Sequence, residues 1–310
     1  MKPETNAVAA GRSVEKSNGP STPEQSGELS SANPSDASAA RIAEVIGDLP
    51  AMPHIAAQVM ERLSDDDVNP KEINELITRD QALAARVLKV ANSPFYGASR
   101  SIATLKDAVM FMGFDSIRAL IMTAVLKSMY AKVGLAEKLL WEHSVGCGLA
   151  ARKIATEIRY RLKDEAYLAG LMHDVGKTAL FLHAPDAMRE IMEGVYNDGL
   201  DFFEAEQSRF GFNHALVGGA IAANWRFTSG IEDAIARHHQ PELASSAVEL
   251  TQIVNAANSI CHKLEVGPIR KPDLDIANVK SIKALGLSPE RLEQILLAVK
   301  EALQADSAGI

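Results

Sequence analysis

Residues 167–177 read YLAGLMHDVGK. Tyr167, Leu168, Leu171 and Met172 recur at helical spacing, and His173 and Asp174 then interrupt the apolar run ahead of Val175, Gly176 and Lys177. Neighbouring side chains on a helix diverge by about 100°, so His173 and Asp174 reach one point only at a helix end or bend, and Gly176 permits such a turn. The stretch therefore predicts a helix, a break carrying an imidazole and a carboxylate, and a second helix. Lys177, four residues after His173, is a candidate catalytic group because its ammonium can meet a phosphate as a point charge.

Outward from this stretch, from Ala39 to Gln304, the helical period dominates and no run alternates as a strand would. The fold class is all-α. Asp80 is placed to cap a helix carrying Leu83, Val87, Leu88 and Ala91, which Asn92 and Pro94 end. Thr104 and Asp107 form a capping-box pattern before Ala108, Val109, Phe111 and Met112. Gly113, Gly134, Gly199, Gly211 and Gly230 are expected to punctuate further helices. No 20- to 50-residue period repeats, which argues against a solenoid.

Five of the eight histidines lie on apolar helical stretches after residue 140. His143 shares a stripe with Leu139, Cys147, Ala150 and Ile154, and His214 leads Gly218, Ile221, Ala222 and Trp225 behind Asn213 as N-cap. His238 and His239 stand just before Pro241, near a helix terminus. One buried histidine is ordinarily a satisfied core group. Several imidazoles with a carboxylate are what a metal-assisted phosphate site is built from.

With 310 residues, 47% hydrophobic, the chain is long enough for one large or two modest cores. Its net charge of -8 and pI near 5.6 disfavour nucleic acid as a partner, and no basic and aromatic stripe offsets them. The most apolar stretch, Leu120 to Leu126, is bracketed by Arg118 and Lys127 and is too short for a bilayer, so no membrane association is expected. The start lacks an apolar export region, and Cys147 and Cys261 are two isolated cysteines without ligand-like spacing; both features fit a cytoplasmic protein. Residues 1 to 37 carry almost no sizeable aliphatics and are expected to be a disordered tail.

The segments LPAMPHIAAQVM, ITRDQALAARVLKVANSPFYG, AVMFMGFDSIRAL, YLAGLMHDVGK, EAEQSRFGFNHALVGG, HHQP and IVNAANSI follow one another between residues 49 and 265. In this order they resemble the HDOD family, the HD-related output domains of bacterial signalling, within the HD superfamily of metal-dependent phosphohydrolases. The resemblance implies a two-lobed helical bundle: an N-terminal lobe over 38–133, an HD-like lobe over 134–266, and a C-terminal helical extension over 267–310. It also implies a regulatory role with a signalling protein partner or a small nucleotide ligand. By the same resemblance His143, His173, Asp174 and position 258 match the ligands of a one-metal site, and His214, His238 and His239 match those of a second metal. Position 258 is Asn where the superfamily has Asp, and HHQPELASS lacks the Gly-Tyr-Pro element of the cyclic-dinucleotide phosphodiesterases. The implied centre is degenerate, suited to a divalent cation such as Fe, Mn, Zn or Ni, with residual metal occupancy rather than efficient phosphohydrolase turnover.

Overall fold

The structure, a computed structural model, describes residues 36–49, 52–65, 67–92, 100–130 and 134–306. Among these no strand occurs, and the helices are α1 (Asp36–Gly47), α2 (His54–Arg62), α3 (Pro70–Thr78), α4 (Gln81–Ala91) and α5 (Leu105–Tyr130), then α6 (Leu135–Glu157), α7 (Lys163–Met172), α8 (Val175–His183), α9 (Pro185–Asp198) and α10 (Phe202–Phe210), and finally α11 (His214–Asn224), α12 (Ser229–Arg237), α13 (Val248–Lys263), α14 (Lys280–Ala284) and α15 (Pro289–Asp306). The all-α expectation holds. The expected tail lies outside the described residues apart from Asp36 and Ala37, which open α1.

The helix boundaries follow local chemistry. Asp80 accepts the amides of Ala82 and Leu83, Asn213 those of Ala215 and Leu216, and Asn69 those of Lys71 and Glu72. Thr104 Oγ1 accepts the Asp107 amide at 3.0 Å and donates to its carboxylate at 2.8 Å. Asn92 closes α4, and its amide both donates to and accepts from the backbone of Ile102 at 2.8 Å; Pro94 lies outside the described residues. Gly199 and Gly211 end their helices in the left-handed conformation, and Gly134 precedes α6. Gly113, at φ 78° and ψ 169°, interrupts α5 and divides it into two helical stretches, as expected of it. One expected stop is otherwise, since Gly230 lies inside α12, because the Thr228 hydroxyl caps that helix by accepting the Ile231 amide.

Two apolar clusters form the interior. One runs from Ile42 and Val45 through α5 to Ile235. The other gathers Cys147 and Ile154 of α6, Ile253 and Ile260 of α13, and Ile282, Ile295 and Val299 from the C-terminal helices. The Tyr130 and Trp141 rings meet at 5.6 Å across the expected lobe boundary between residues 133 and 134. The apolar stretch read as Leu120 to Leu126 belongs to a longer helix: α5, at 26 residues and mean hydropathy 1.7, is among the described residues the one helix long and apolar enough to cross a membrane. Of its most apolar window 56% is buried, against α2, α3, α4 and α7, so the apolarity serves the core.

Glycines bring the histidine-bearing helices into backbone contact. A Cβ on Gly170 would lie 2.6 Å from the Cys147 carbonyl oxygen, and one on Gly176 only 2.0 Å from that of His214. Gly176 is therefore needed for the approach of α8 to α11, whereas the turn expected of it is made at Asp174, whose φ of -101° and ψ of 12° leave the helical region. Gly176→Ala must push two backbones apart, which costs at least about 3 kcal/mol, the upper end for an overpacked core. Urea denaturation checks this, and a loss below about 1 kcal/mol would show that α8 moves aside freely.

Candidate metal centre

The break between α7 and α8 sets the geometry. His173 caps the C-terminus of α7 and Asp174 precedes α8, so both leave regular helix and face one point. His143 comes from α6, His214 is the first residue of α11, His238 caps the end of α12 with His239 after it, and Asn258 comes from α13. His143, His173, Asp174, His214 and His238 are at most 2% exposed, Asn258 is buried, and His239 is half-buried at the rim. Ring centroids lie 5.2 Å apart for His143 and His173, 4.9 Å for His173 and His238, 5.4 Å for His214 and His238, and 4.1 Å for His238 and His239. The fold thus brings together all seven residues singled out as ligands.

Hydrogen bonds set the proton on each ring. Nδ1 of His143 lies 2.9 Å from the Val266 carbonyl, that of His173 2.7 Å from Gly170, and that of His238 2.7 Å from Ile235. A carbonyl can only accept, so each Nδ1–H donates outward, and Nε2 is the nitrogen left to present a lone pair inward. His214 Nδ1–H donates to the Glu206 carboxylate at 2.5 Å, and the same oxygen accepts the His214 amide at 2.8 Å. Asn255 Nδ2 donates to the His238 carbonyl at 2.8 Å and holds the end of α12.

The inward atoms test whether a cation fits. His173 Nε2, His238 Nε2 and Asp174 Oδ1 are buried without a hydrogen-bond partner. Each such group costs about 1–3 kcal/mol. Asp174 Oδ1 lies 3.2 Å from His214 Nε2 and 3.8 Å from His238 Nε2, so the unsatisfied atoms face one another. Lone pairs converging on a carboxylate, each ring anchored from behind, fit a divalent cation. Such an ion would supply Lewis acidity toward a phosphoryl oxygen or a bound water.

Charge follows from burial. Burial drives the His143 pKa down to about 4 and holds those of His238, His239 and His262 well below the ordinary imidazole value. For Asp174 burial acts to raise the carboxyl, but the neighbouring His173, Lys177 and His214 side chains outweigh it and keep the group well below its usual range. Lys177 is buried, its Nζ 2.8 Å from Asp174 Oδ2 and 4.5 Å from the centre of the Phe202 ring. The ammonium expected to meet a phosphate is thus engaged by the chain's own carboxylate.

Four further residues belong to this neighbourhood. Glu206, fully buried, orients His214 from another helix, eight residues earlier. His262 stacks on His143 with centroids 5.3 Å apart. Cys147 and Cys261, expected to be isolated, form a group with His143 whose ligand atoms lie within 4.8 Å of one another. The cysteines had a signal in their spacing, since Cys147 is four residues after His143 and Cys261 three after Asn258, hence on the same helix faces. Glu206 had none.

The family model of the HDOD domain matches residues 49–241. A crystal structure of an HDOD domain protein of unknown function from Geobacter sulfurreducens is 29% identical, with 87% of this chain and 94% of that one covered at a TM-score of 0.71. A protein from Marinobacter aquaeolei, provisionally named for signal transduction, shares the fold at 19% identity and a TM-score of 0.69, over 88% of this chain and 65% of that one. An uncharacterized protein from Treponema pallidum is 24% identical over 202 residues, 65% of this chain and 39% of that relative, so the match spans well under half of the relative's length.

Two outcomes are expected of this pocket. Glu206→Gln removes the charge behind His214 and should weaken manganese binding about 10- to 100-fold in titration calorimetry with helical content retained; unchanged affinity would place His214 outside the ion's ligands. Without metal, stability should fall with acid. Above pH 6.5 His143 is neutral folded and largely so unfolded, whereas below it the unfolded chain takes up a proton that the folded chain refuses until about pH 4. His143 alone then contributes on the order of 3 kcal/mol of loss across that window. Urea melts at pH 7, 5.5 and 4 in chelator check the sign, and a flat profile would show the rings already protonated in the fold.

Proposed function

Because this chain belongs to the HDOD family, we propose that it is an output domain of bacterial signal transduction, acting by binding a protein partner or a small nucleotide ligand rather than by turnover. The observation that carries the reading is the side chain at the position matching the fourth ligand, the neutral amide of Asn258, whose Oδ1 is placed 3.1 Å from His143 Nε2. A phosphohydrolase of the two-metal kind draws on anionic ligands to hold both ions near each other and to activate water between them. Here Asp174 would stand without a second carboxylate, because Glu206 faces the outward Nδ1 of His214. The net charge of -8 continues to disfavour nucleic acid, and two buried free thiols fit a reducing compartment.

The second reading, a metal-dependent phosphohydrolase acting on nucleotides or cyclic dinucleotides, is favoured by the converging imidazoles around Asp174. The two readings part on turnover. The full chain, loaded in turn with manganese, iron, zinc and nickel, is incubated with mononucleotides, dinucleotides and cyclic dinucleotides, and products are separated by chromatography. Product formation no faster than in chelator is expected. Metal-dependent hydrolysis that disappears in His173→Ala would replace the output-domain reading with the enzymatic one.

A further inference from the structure

We propose that the pocket takes a single divalent cation, held on its His214, His238 and His239 side through Asp174 Oδ1, and that Lys177 and Asn258 close the opposite side. The inference rests on the pocket being a metal centre and specifies how many ions it holds and where.

The two oxygens of Asp174 have different surroundings. Oδ2 accepts from Lys177 Nζ at 2.8 Å and faces His173 Nε2 at 3.3 Å and His143 Nε2 at 3.7 Å. Oδ1 has no hydrogen-bond partner and faces His214 and His238. A cation on the Oδ2 side would compete with an ammonium already on the same oxygen, in a buried setting where like charges repel strongly. A cation at Oδ1 meets no such competitor.

Asn258 closes the same side by a different route. The Val266 carbonyl 2.9 Å from His143 Nδ1 takes the proton of that nitrogen, so in the ring able to bind a cation it is Nε2 that presents a lone pair, to the amide 3.1 Å away. A carbonyl oxygen and a lone pair repel, whereas the amide turned about its Cβ–Cγ axis donates Nδ2–H to Nε2, and the two orientations are isosteric. Donation by Asn258 occupies the lone pair that a cation would need. An aspartate there would instead add a negative charge and leave that lone pair free.

On the open side, His214, His238 and His239 offer ligand nitrogens that all lie within 4.8 Å of one another. His214 Nε2 and His239 Nε2 are 2.9 Å apart, two imidazole nitrogens at the distance of a single shared proton. A cation replaces that proton and satisfies His238 Nε2 and Asp174 Oδ1 together. Three imidazoles and one carboxylate suit zinc, iron, nickel or manganese better than magnesium.

The test uses the full chain, stripped with chelator, loaded with manganese(II) and desalted. One manganese per chain with the paramagnetic resonance spectrum of an isolated ion is expected. His239→Ala should weaken manganese binding at least about tenfold, while Asn258→Ala should change it less than about threefold. Circular dichroism verifies folding, and His239→Gln takes the place of His239→Ala should the latter unfold. The double variant Lys177→Met with Asn258→Asp reopens the other side and should take a second ion, seen as a coupled pair. Two ions in the parent, or an ion lost in Asn258→Ala and kept in His239→Ala, would overturn the location while leaving a metal centre in place. A folded double variant that still takes one ion would overturn the closure by Lys177 and Asn258. Failure of the parent to retain manganese, zinc, iron or nickel at millimolar supply would overturn the metal centre itself.

Discussion

Asp174 carries a negative charge at 2% exposure, and the helices around it are arranged to make that burial tolerable. A lone buried carboxylate costs several kcal/mol, which only opposite charge and directed donors recover. Lys177 meets one oxygen. The other looks toward the imidazoles supplied by α11 and α12, while that of α7 shares the oxygen that Lys177 meets. Those rings present lone pairs because each Nδ1–H is already taken by a carbonyl or by Glu206. An inside of acceptors and an outside of satisfied donors follow from one set of hydrogen bonds.

Such a pocket requires close backbone approach, since imidazoles from separate helices meet at one carboxylate only if the helices nearly touch. Gly170 against α6 and Gly176 against α11 remove the Cβ atoms that would prevent it. The apolar clusters then grip the same helices from outside, with α15 packing on α6. Packing and ligand geometry are thus coupled, and a side chain added at Gly176 would disturb both through the carbonyl of His214, whose ring is in the pocket.

Much of this was legible in the linear pattern. The all-α class and the caps at Asp80, Thr104 and Asn213 are local matters of period and first-turn hydrogen bonding, which a sequence expresses directly. The candidate ligands were legible because imidazole and carboxylate on apolar stretches are anomalous in a core. The misreadings are also instructive. Gly230 looked like a stop because glycine does so on average, yet the Thr228 hydroxyl had already capped the helix. Cys147 and Cys261 looked isolated because their spacing was judged along the chain, although both are helical neighbours of pocket residues.

By itself the sequence determined the helices, their apolar faces and the residue types available for a metal site, since each depends on contacts within a turn or two of helix. Tertiary structure alone decided which oxygen of Asp174 meets Lys177, that Glu206 stands behind His214, and that Asn258 faces His143. Those pairings join groups on different helices or depend on how a helix turns at its end. Their distances are set by helix packing, which no local pattern encodes.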